Sequence, residues 1–199
     1  MTGAPRVVLL DSGGANLGSV RAAFARLGVD APVTSDWNTI QAATHVVLPG
    51  VGAAASAMAR LRENGLDKLV ARLTQPLIGI CIGMQLLFES SEEGDTECLG
   101  LLPGKVTRLP SSPGIRIPHM GWNRLETMAD HPLSAGLDQQ WVYFVHSYAA
   151  RDAASTITRC NHGEPFAAMV ARGSVMGAQF HPERSAAAGA RLLKNFLAL

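Results

Sequence analysis

The sequence predicts a single α/β domain of three layers: a central, mostly parallel but mixed sheet with helices on both faces. Three observations predict it. Short β-branched apolar runs alternate with apolar stripes of helical period through the first half. Glycine-containing turns follow several of those runs. The second half is instead a series of short strand-like pieces divided by turns. Strand and helix in alternation make a parallel sheet covered on both faces, and the later pieces make part of it antiparallel.

Val7 to Leu10 reads as a buried strand ending at Asp11-Ser12-Gly13-Gly14. Val20, Ala23, Phe24 and Leu27 fall on one face of a helix that Gly28 terminates. Thr44 to Leu48 is a second strand, broken by Pro49-Gly50-Val51-Gly52, and Ala53 to Leu61 is an Ala-rich helix that Leu66 to Leu73 extends or follows. Leu77 to Ile80 is a third strand, and Met84 to Glu89 opens another helix. Beyond residue 104 come strand-like pieces at Lys105 to Leu109, Trp141 to Tyr148, Thr156 to Arg159, Ala167 to Val170 and Val175 to Phe180. A last amphipathic helix carries Leu192, Leu193, Phe196 and Leu197 on its apolar side. No repeat, low-complexity tract or linker divides the chain, so residues 1–199 are expected to form one domain.

Of the 199 residues, 47% are hydrophobic, enough for a core without disulfides or metals. Lys and Arg number 17 against 16 Asp and Glu, a formal charge of +1 with no electrostatic footprint for a polyanion, so a nucleic-acid partner is not expected. Apolar stretches such as Pro76 to Met84 fall well short of the roughly 20 residues of a membrane span. The segment before Asp11, with one Arg and a run of four apolar residues, is too short for a secretory signal. Cys81, Cys98 and Cys160 are odd in number and contain no CxxC pair, so neither a disulfide framework nor a zinc site is expected. The acidic stretch Glu92-Glu93-Gly94-Asp95-Thr96-Glu97 lacks calcium-loop spacing and reads as solvated. No metal or cofactor is implied, and the expectation is a reduced, cytoplasmic protein.

Gly79-Ile80-Cys81-Ile82-Gly83 stands where the third strand gives way to a helix, in the form of a nucleophile elbow with cysteine in place of serine. A sharp turn lifts the side chain off the sheet, and flanking glycines let the backbone bend without Cβ clashes. The helix N-terminus beyond it favours thiolate over thiol, a free cysteine titrating near about 8.5. A lone cysteine is more often a small buried hydrophobe, and only a base separates the two readings.

His181-Pro182-Glu183 follows the last strand-like run. Proline disfavours helical backbone at the residue before it, so His181 is expected to be extended, with Glu183 projecting to the same side two residues on. An imidazole beside a carboxylate is the base and orienter that a cysteine nucleophile needs; alone, the tripeptide reads more often as a capped turn. Acyl transfer also needs an oxyanion hole, for which the backbone N–H groups of Val51 and Ile82 are the candidates.

These residues resemble the class I glutamine amidotransferases, the Cys-His-Glu triad group. Gly79-Ile80-Cys81-Ile82-Gly83-Met84-Gln85 and Gln179-Phe180-His181-Pro182-Glu183 match its two defining motifs. Within that family the chain is similar to the glutaminase subunits of imidazole glycerol phosphate synthase, from Asn16-Leu17-x-Ser19-Val20, Pro118-His119-Met120-Gly121-Trp122-Asn123, Tyr143-Phe144-Val145-His146-Ser147-Tyr148 and His181-Pro182-Glu183-Arg184-Ser185. It departs from the commoner form at Ser12, Ala15 and Ala54.

The resemblance implies a flavodoxin-like sheet, a thioester on Cys81, and His181 and Glu183 as its catalytic partners. Glutamine would be held by Gly50, Gly52 and Gln85 and by His146, Ser147 and Tyr148. Ammonia would pass to a (β/α)8-barrel cyclase subunit, in a heterodimer whose contact includes Asn16, Met120, Trp122, Tyr143 and Arg184. Residue type alone leaves plainer readings: a solvated Gln85, a core Trp122 and Tyr143, and His119 and His146 as satisfied structural histidines. A glutaminase of another pathway and a catalytically inert partner subunit also stay open.

Overall fold

The computed structural model describes residues 3–13, 16–151 and 154–199. Gly14 and Ala15 of the first turn lie outside the described residues. The elements in order are β1 (Val7–Leu10), α1 (Leu17–Ala25), β2 (Val33–Thr34), α2 (Trp37–Ala42), β3 (His45–Gly50), α3 (Ala54–Glu63), α4 (Leu66–Val70), β4 (Leu77–Cys81) and α5 (Ile82–Gln85). There follow β5 (Ser90–Ser91), β6 (Thr96–Glu97), β7 (Lys105–Arg108), β8 (His119–Arg124), β9 (Glu126–Thr127), β10 (Trp141–His146), β11 (Tyr148–Ala150), β12 (Thr156–Asn161), β13 (Pro165–Arg172), β14 (Val175–Ala178) and α6 (Ala186–Leu197).

Eight strands form the main sheet in the order β2-β1-β3-β4-β14-β13-β12-β9. Pairings from β2 to β14 are parallel and those from β14 to β9 antiparallel. This is the mixed α/β sheet with helices that the alternation predicts, and β1, β3 and β4 are buried along their whole length, as central parallel strands are. Among the described residues no helix is long and apolar enough to cross a membrane.

Two predicted elements come out differently. The helix expected over Met84 to Glu89 is only Ile82–Gln85, because the chain turns at Phe88 to pair β5 with β7. The strand expected over Trp141 to Tyr148 is broken at Ser147: β10 pairs with β8 in a separate two-stranded ribbon, while β11 pairs with β7 in a four-stranded sheet.

Close packing explains the elbow glycines better than chain reversal does. A Cβ on Gly83 would lie 1.8 Å from the Leu48 carbonyl oxygen, and one on Gly79 would lie 2.4 Å from the Gly83 carbonyl oxygen. A Cβ on Gly50 would meet Gly83 N at 2.7 Å, and one on Gly177 the Met84 Cγ at 2.6 Å. These glycines let α5 settle backbone-to-backbone onto β3, β4 and β14. The left-handed conformation falls on Cys81 itself, at φ 54° and ψ −112°. On the far side, α6 buries Leu192, Leu193 and Phe196, and Gly189 lets it approach Pro182, whose carbonyl oxygen would be 1.9 Å from a Cβ there.

Candidate active site

In register, Gly50 at the end of β3 faces Cys81 at the end of β4, and β14 lies on the other side of β4. The site therefore forms beyond the carboxyl ends of parallel strands, where α/β sheets bind ligands. A cavity of about 240 Å³ opens there. Cys81, Ile82, Val51 and Gly52 line one part of it, His181 another, and Gln85 with His146, Ser147 and Tyr148 a third. Gly50 is not on this lining; it lies beneath the elbow against Ile82 and Gly83.

Cys81 is buried at the tip of the elbow, its thiol 3.8 Å from the Val145 carbonyl oxygen. Its conformation is one that side chains other than glycine rarely adopt, and such strain is held by surrounding packing at sites of function. Ile82 is the first residue of α5, so its N–H has no partner within the helix. The short α5 offers free amides rather than a large macrodipole.

His181 and Glu183 meet as predicted, for a different reason. His181 is extended, at φ −97° and ψ 97°, but Pro182–Arg184 is a turn of 3-10 helix, so the carboxylate folds back instead of alternating along a strand. His181 Nδ1 donates to Glu183 Oε1 at 2.8 Å. The imidazole is fixed from behind as well: its backbone N–H donates to the Tyr143 carbonyl at 2.9 Å, and Ser185 Oγ donates to the His181 carbonyl at 2.7 Å. Burial alone lowers the pKa of His181, but hydrogen bonds with Cys81 and Glu183 outweigh it and push it up to about 10. Burial raises Glu183, yet the His181 and Asn16 hydrogen bonds hold it below the usual carboxylate range. Burial pushes the thiols of Cys98 and Cys160 up to about 11 and about 12. Of the three thiols only Cys81 has a base beside it.

A family model for glutamine amidotransferase class-I matches residues 8–199. The chain belongs to the class I glutamine amidotransferases. It is 60% identical over 192 residues to the imidazole glycerol phosphate synthase subunit HisH of Xanthomonas axonopodis pv. citri (strain 306), with 96% of each chain covered. It is 56% identical to the subunit of the same name from Xylella fastidiosa (strain Temecula1 / ATCC 700964), with the same coverage. Solved structures of the same fold include one described as a glutamine amidotransferase (TM-score 0.75, 23% identity, 96% of this chain and 97% of that one). Another is PurLQS from Thermotoga maritima (TM-score 0.73, 19% identity, 98% and 99%).

The residues read as partner-facing lie at the rim of this amidotransferase's cavity. Asn16 and Arg184 line an adjoining hollow with Val51, Val145 and His181. Met120 and Trp122 stand on the outer face of the β8–β10 ribbon, 63% and 50% exposed, so a core role for Trp122 is ruled out. Tyr143 is half-buried beside Trp122, their rings edge to face at 6.0 Å. Gln85 is buried, not solvated: its Nε2 donates to the Tyr148 carbonyl at 2.8 Å and to Gln179 Oε1 at 3.0 Å.

Three features escaped the sequence. Asn16 Nδ2 donates to Glu183 Oε1 at 2.6 Å, so one carboxylate oxygen receives both Asn16 and His181. Gln179 places its Nε2 3.9 Å from the Cys81 sulfur, 98 positions away in the chain. Glu93, from the stretch read as solvated, accepts from the Ala54 N–H at 2.8 Å and is the one carboxylate among the described lining residues. No local signal marks a carboxylate that caps a helix 39 positions away.

Proposed function

We infer that this chain is the glutaminase subunit of an imidazole glycerol phosphate synthase and that Cys81, His181 and Glu183 carry its chemistry. The observation that carries the reading is the meeting of Cys81 and His181 at one cavity, with Glu183 bonded to His181 Nδ1 behind it, in a chain about 60% identical, nearly end to end, to subunits of that name.

In this reading Cys81 gives its proton to His181, and the thiolate attacks the carboxamide carbon of glutamine. The backbone N–H groups of Val51 and Ile82 take the charge that develops on the amide oxygen. His181, held protonated by its pair with Glu183, gives the proton to the departing nitrogen, releasing ammonia and leaving a glutamyl thioester. Water then attacks the thioester with His181 as base, and glutamate leaves with the thiolate restored. Gly52, Gln85, His146, Ser147 and Tyr148 hold the amino-acid end of glutamine, with Glu93 supplying a counter-charge for its ammonium. Gly50 acts from beneath, by letting the elbow close.

The partner is a (β/α)8-barrel cyclase, docked on Asn16, Met120, Trp122, Tyr143 and Arg184 to form a heterodimer. The ammonia enters its ribotide substrate to give imidazole glycerol phosphate and aminoimidazole carboxamide ribotide in histidine biosynthesis, a cytoplasmic pathway. The exposed apolar ribbon beside the cavity supports a protein partner at this rim.

The deciding experiment is glutamate release from glutamine with and without the cyclase and its ribotide ligand, beside Cys81→Ala. Release that rises sharply with the liganded cyclase and vanishes in the variant is the expected result. Release indifferent to the cyclase reassigns the pathway, and no release from folded protein under any condition makes the chain an inert subunit.

A further inference from the structure

The inner face of the β8–β10 ribbon carries a set of polar groups whose hydrogen bonds admit only one arrangement of protons. His146 Nδ1 lies 2.9 Å from the Tyr148 carbonyl oxygen, which only accepts, so the proton is on Nδ1 and Nε2 is bare. His119 Nδ1 lies 3.0 Å from that bare nitrogen and must donate to it. The remaining nitrogen of His119, Nε2, then accepts from Asn123 Nδ2 at 3.3 Å. The Asn123 amide has no freedom to flip: its Nδ2 also donates to the Asn161 carbonyl at 2.8 Å, and its Oδ1 accepts from the Arg124 N–H at 2.8 Å.

The order continues into the cavity. The Tyr148 carbonyl that takes the His146 proton also takes one from Gln85 Nε2, whose other hydrogen goes to Gln179. Gln85, a lining residue of the cavity, thereby keeps a buried Oε1 without a partner among the described residues. Protonating either histidine would set donor against donor. In keeping with this, burial and neighbouring histidines lower His119 to about 3, and burial is the main cause lowering His146 to about 4.

We propose that His119, which does not itself line the cavity, is a positioning residue for the glutamine site. Its Nδ1–H donates to His146 Nε2 and so holds that ring on the Tyr148 carbonyl, the same acceptor that orients Gln85. The inference rests on the glutaminase reading. It also gives β8 two faces with linked duties: Met120 and Trp122 outward, His119 and Asn123 inward toward the pocket.

The alternative is that His119 merely packs, since its ring stacks between Phe144 at 4.8 Å and His162 at 4.0 Å. Two substitutions separate the roles. His119→Phe keeps a ring and removes the donor, whereas His119→Asn removes the ring and keeps a donor where Nδ1 stood. In the assembled synthase, His119→Phe is expected to raise KM for glutamine about tenfold, with kcat changed less than about twofold. His119→Asn should stay within about threefold of the unsubstituted enzyme in both. A packing role gives the opposite ranking, and that ranking, or equal values for the two variants, overturns the proposal. Proton–nitrogen NMR of the unsubstituted chain, without glutamine, should show both rings neutral at pH 7 with the proton on Nδ1. A proton on Nε2 of His146 overturns the proposal whatever the variants do. A chain with that tautomer pattern and no glutamine hydrolysis would instead sink the functional reading alone.

Discussion

The Asn16 side-chain amide and the Glu183 carboxylate are joined by a 2.6 Å hydrogen bond across 167 positions of sequence. Glu183 Oε1 thus receives both His181 Nδ1 and Asn16 Nδ2, while Glu183 itself is almost wholly buried. Asn16 stands at the start of α1 and lines the hollow beside the cavity, so under the proposed function one residue would both meet the partner and hold the carboxylate of Glu183.

Removing that bond should therefore act on turnover rather than on glutamine binding. A hydrogen bond to a charged group contributes about 1.5–3 kcal/mol, only part of which reaches a reacting atom two residues away. Asn16→Ala is expected to lower kcat for glutamate release about tenfold at saturating partner, with KM for glutamine within about twofold. Steady-state kinetics of the assembled synthase checks this, and an unchanged kcat would reduce Asn16 to a surface contact.

The His181–Glu183 pair should leave a mark on stability against pH. The folded-state pKa of His181, about 10, lies above its ordinary 6.5. Its contribution is complete below pH 6.5 and fades as pH rises through about 10. Glu183 is held below its ordinary 4.5, so its contribution is complete above pH 4.5 and fades as pH falls through its lower folded value. The pair stabilises most between pH 4.5 and 6.5. Urea unfolding of the unsubstituted chain and Glu183→Gln should show their largest difference there, shrinking toward pH 10; a difference that grows as pH rises above 6.5 would contradict the pairing. Because Gln keeps an acceptor for Nδ1–H, Glu183→Gln should also lose less glutaminase activity than Cys81→Ala or His181→Ala.

The elbow's strain gives a third expectation. Cys81 sits at φ 54° and ψ −112°, where glycine alone is at ease. Cys81→Ala and Cys81→Gly should both abolish glutamate release. Yet Cys81→Gly should be the more stable by about 1 kcal/mol, relief of strain outweighing the greater entropy of its unfolded chain. Thermal unfolding of the two inactive variants measures it, and a more stable Cys81→Ala would mean that the turn is not strained.

Much of this site was legible because its parts are local in sequence. The elbow glycines, the His-Pro-Glu turn and Pro49–Gly52 each carry their signal within five residues. The physical reasons were less legible. Gly79 and Gly83 proved to serve contact with β3 and α5 rather than the turn, which depends on what packs above them. Glu183 meets His181 through a 3-10 turn that no period predicts. The ribbon strand β8 escaped because its alternation joins His119 and Asn123 to one face and Met120 and Trp122 to the other, which resembles neither a buried nor a half-buried strand. Asn16, Glu93 and Gln179 act through contacts far away in the chain, and a single sequence does not display those.

The ribbon's outer face yields the last expectation. Trp122 is 50% exposed and Met120 63%, and Trp141 at the ribbon's far end is 56% exposed on the same face. Large apolar side chains so arranged beside a cavity mark a protein interface, and tryptophan is prominent among residues whose truncation costs 2 kcal/mol or more. Trp122 rests on Tyr143 and not in the core, so its loss leaves the domain's packing intact. Trp122→Ala is expected to weaken cyclase binding by about 30-fold or more, with the melting temperature of the isolated chain unchanged within about 2 °C. Glutamate release at saturating cyclase should stay within about threefold, because Trp122 points away from the pocket that His119 faces. Calorimetric titration against the cyclase decides it: an unaltered Kd would take the ribbon out of the interface, and a lowered melting temperature would return Trp122 to a structural role.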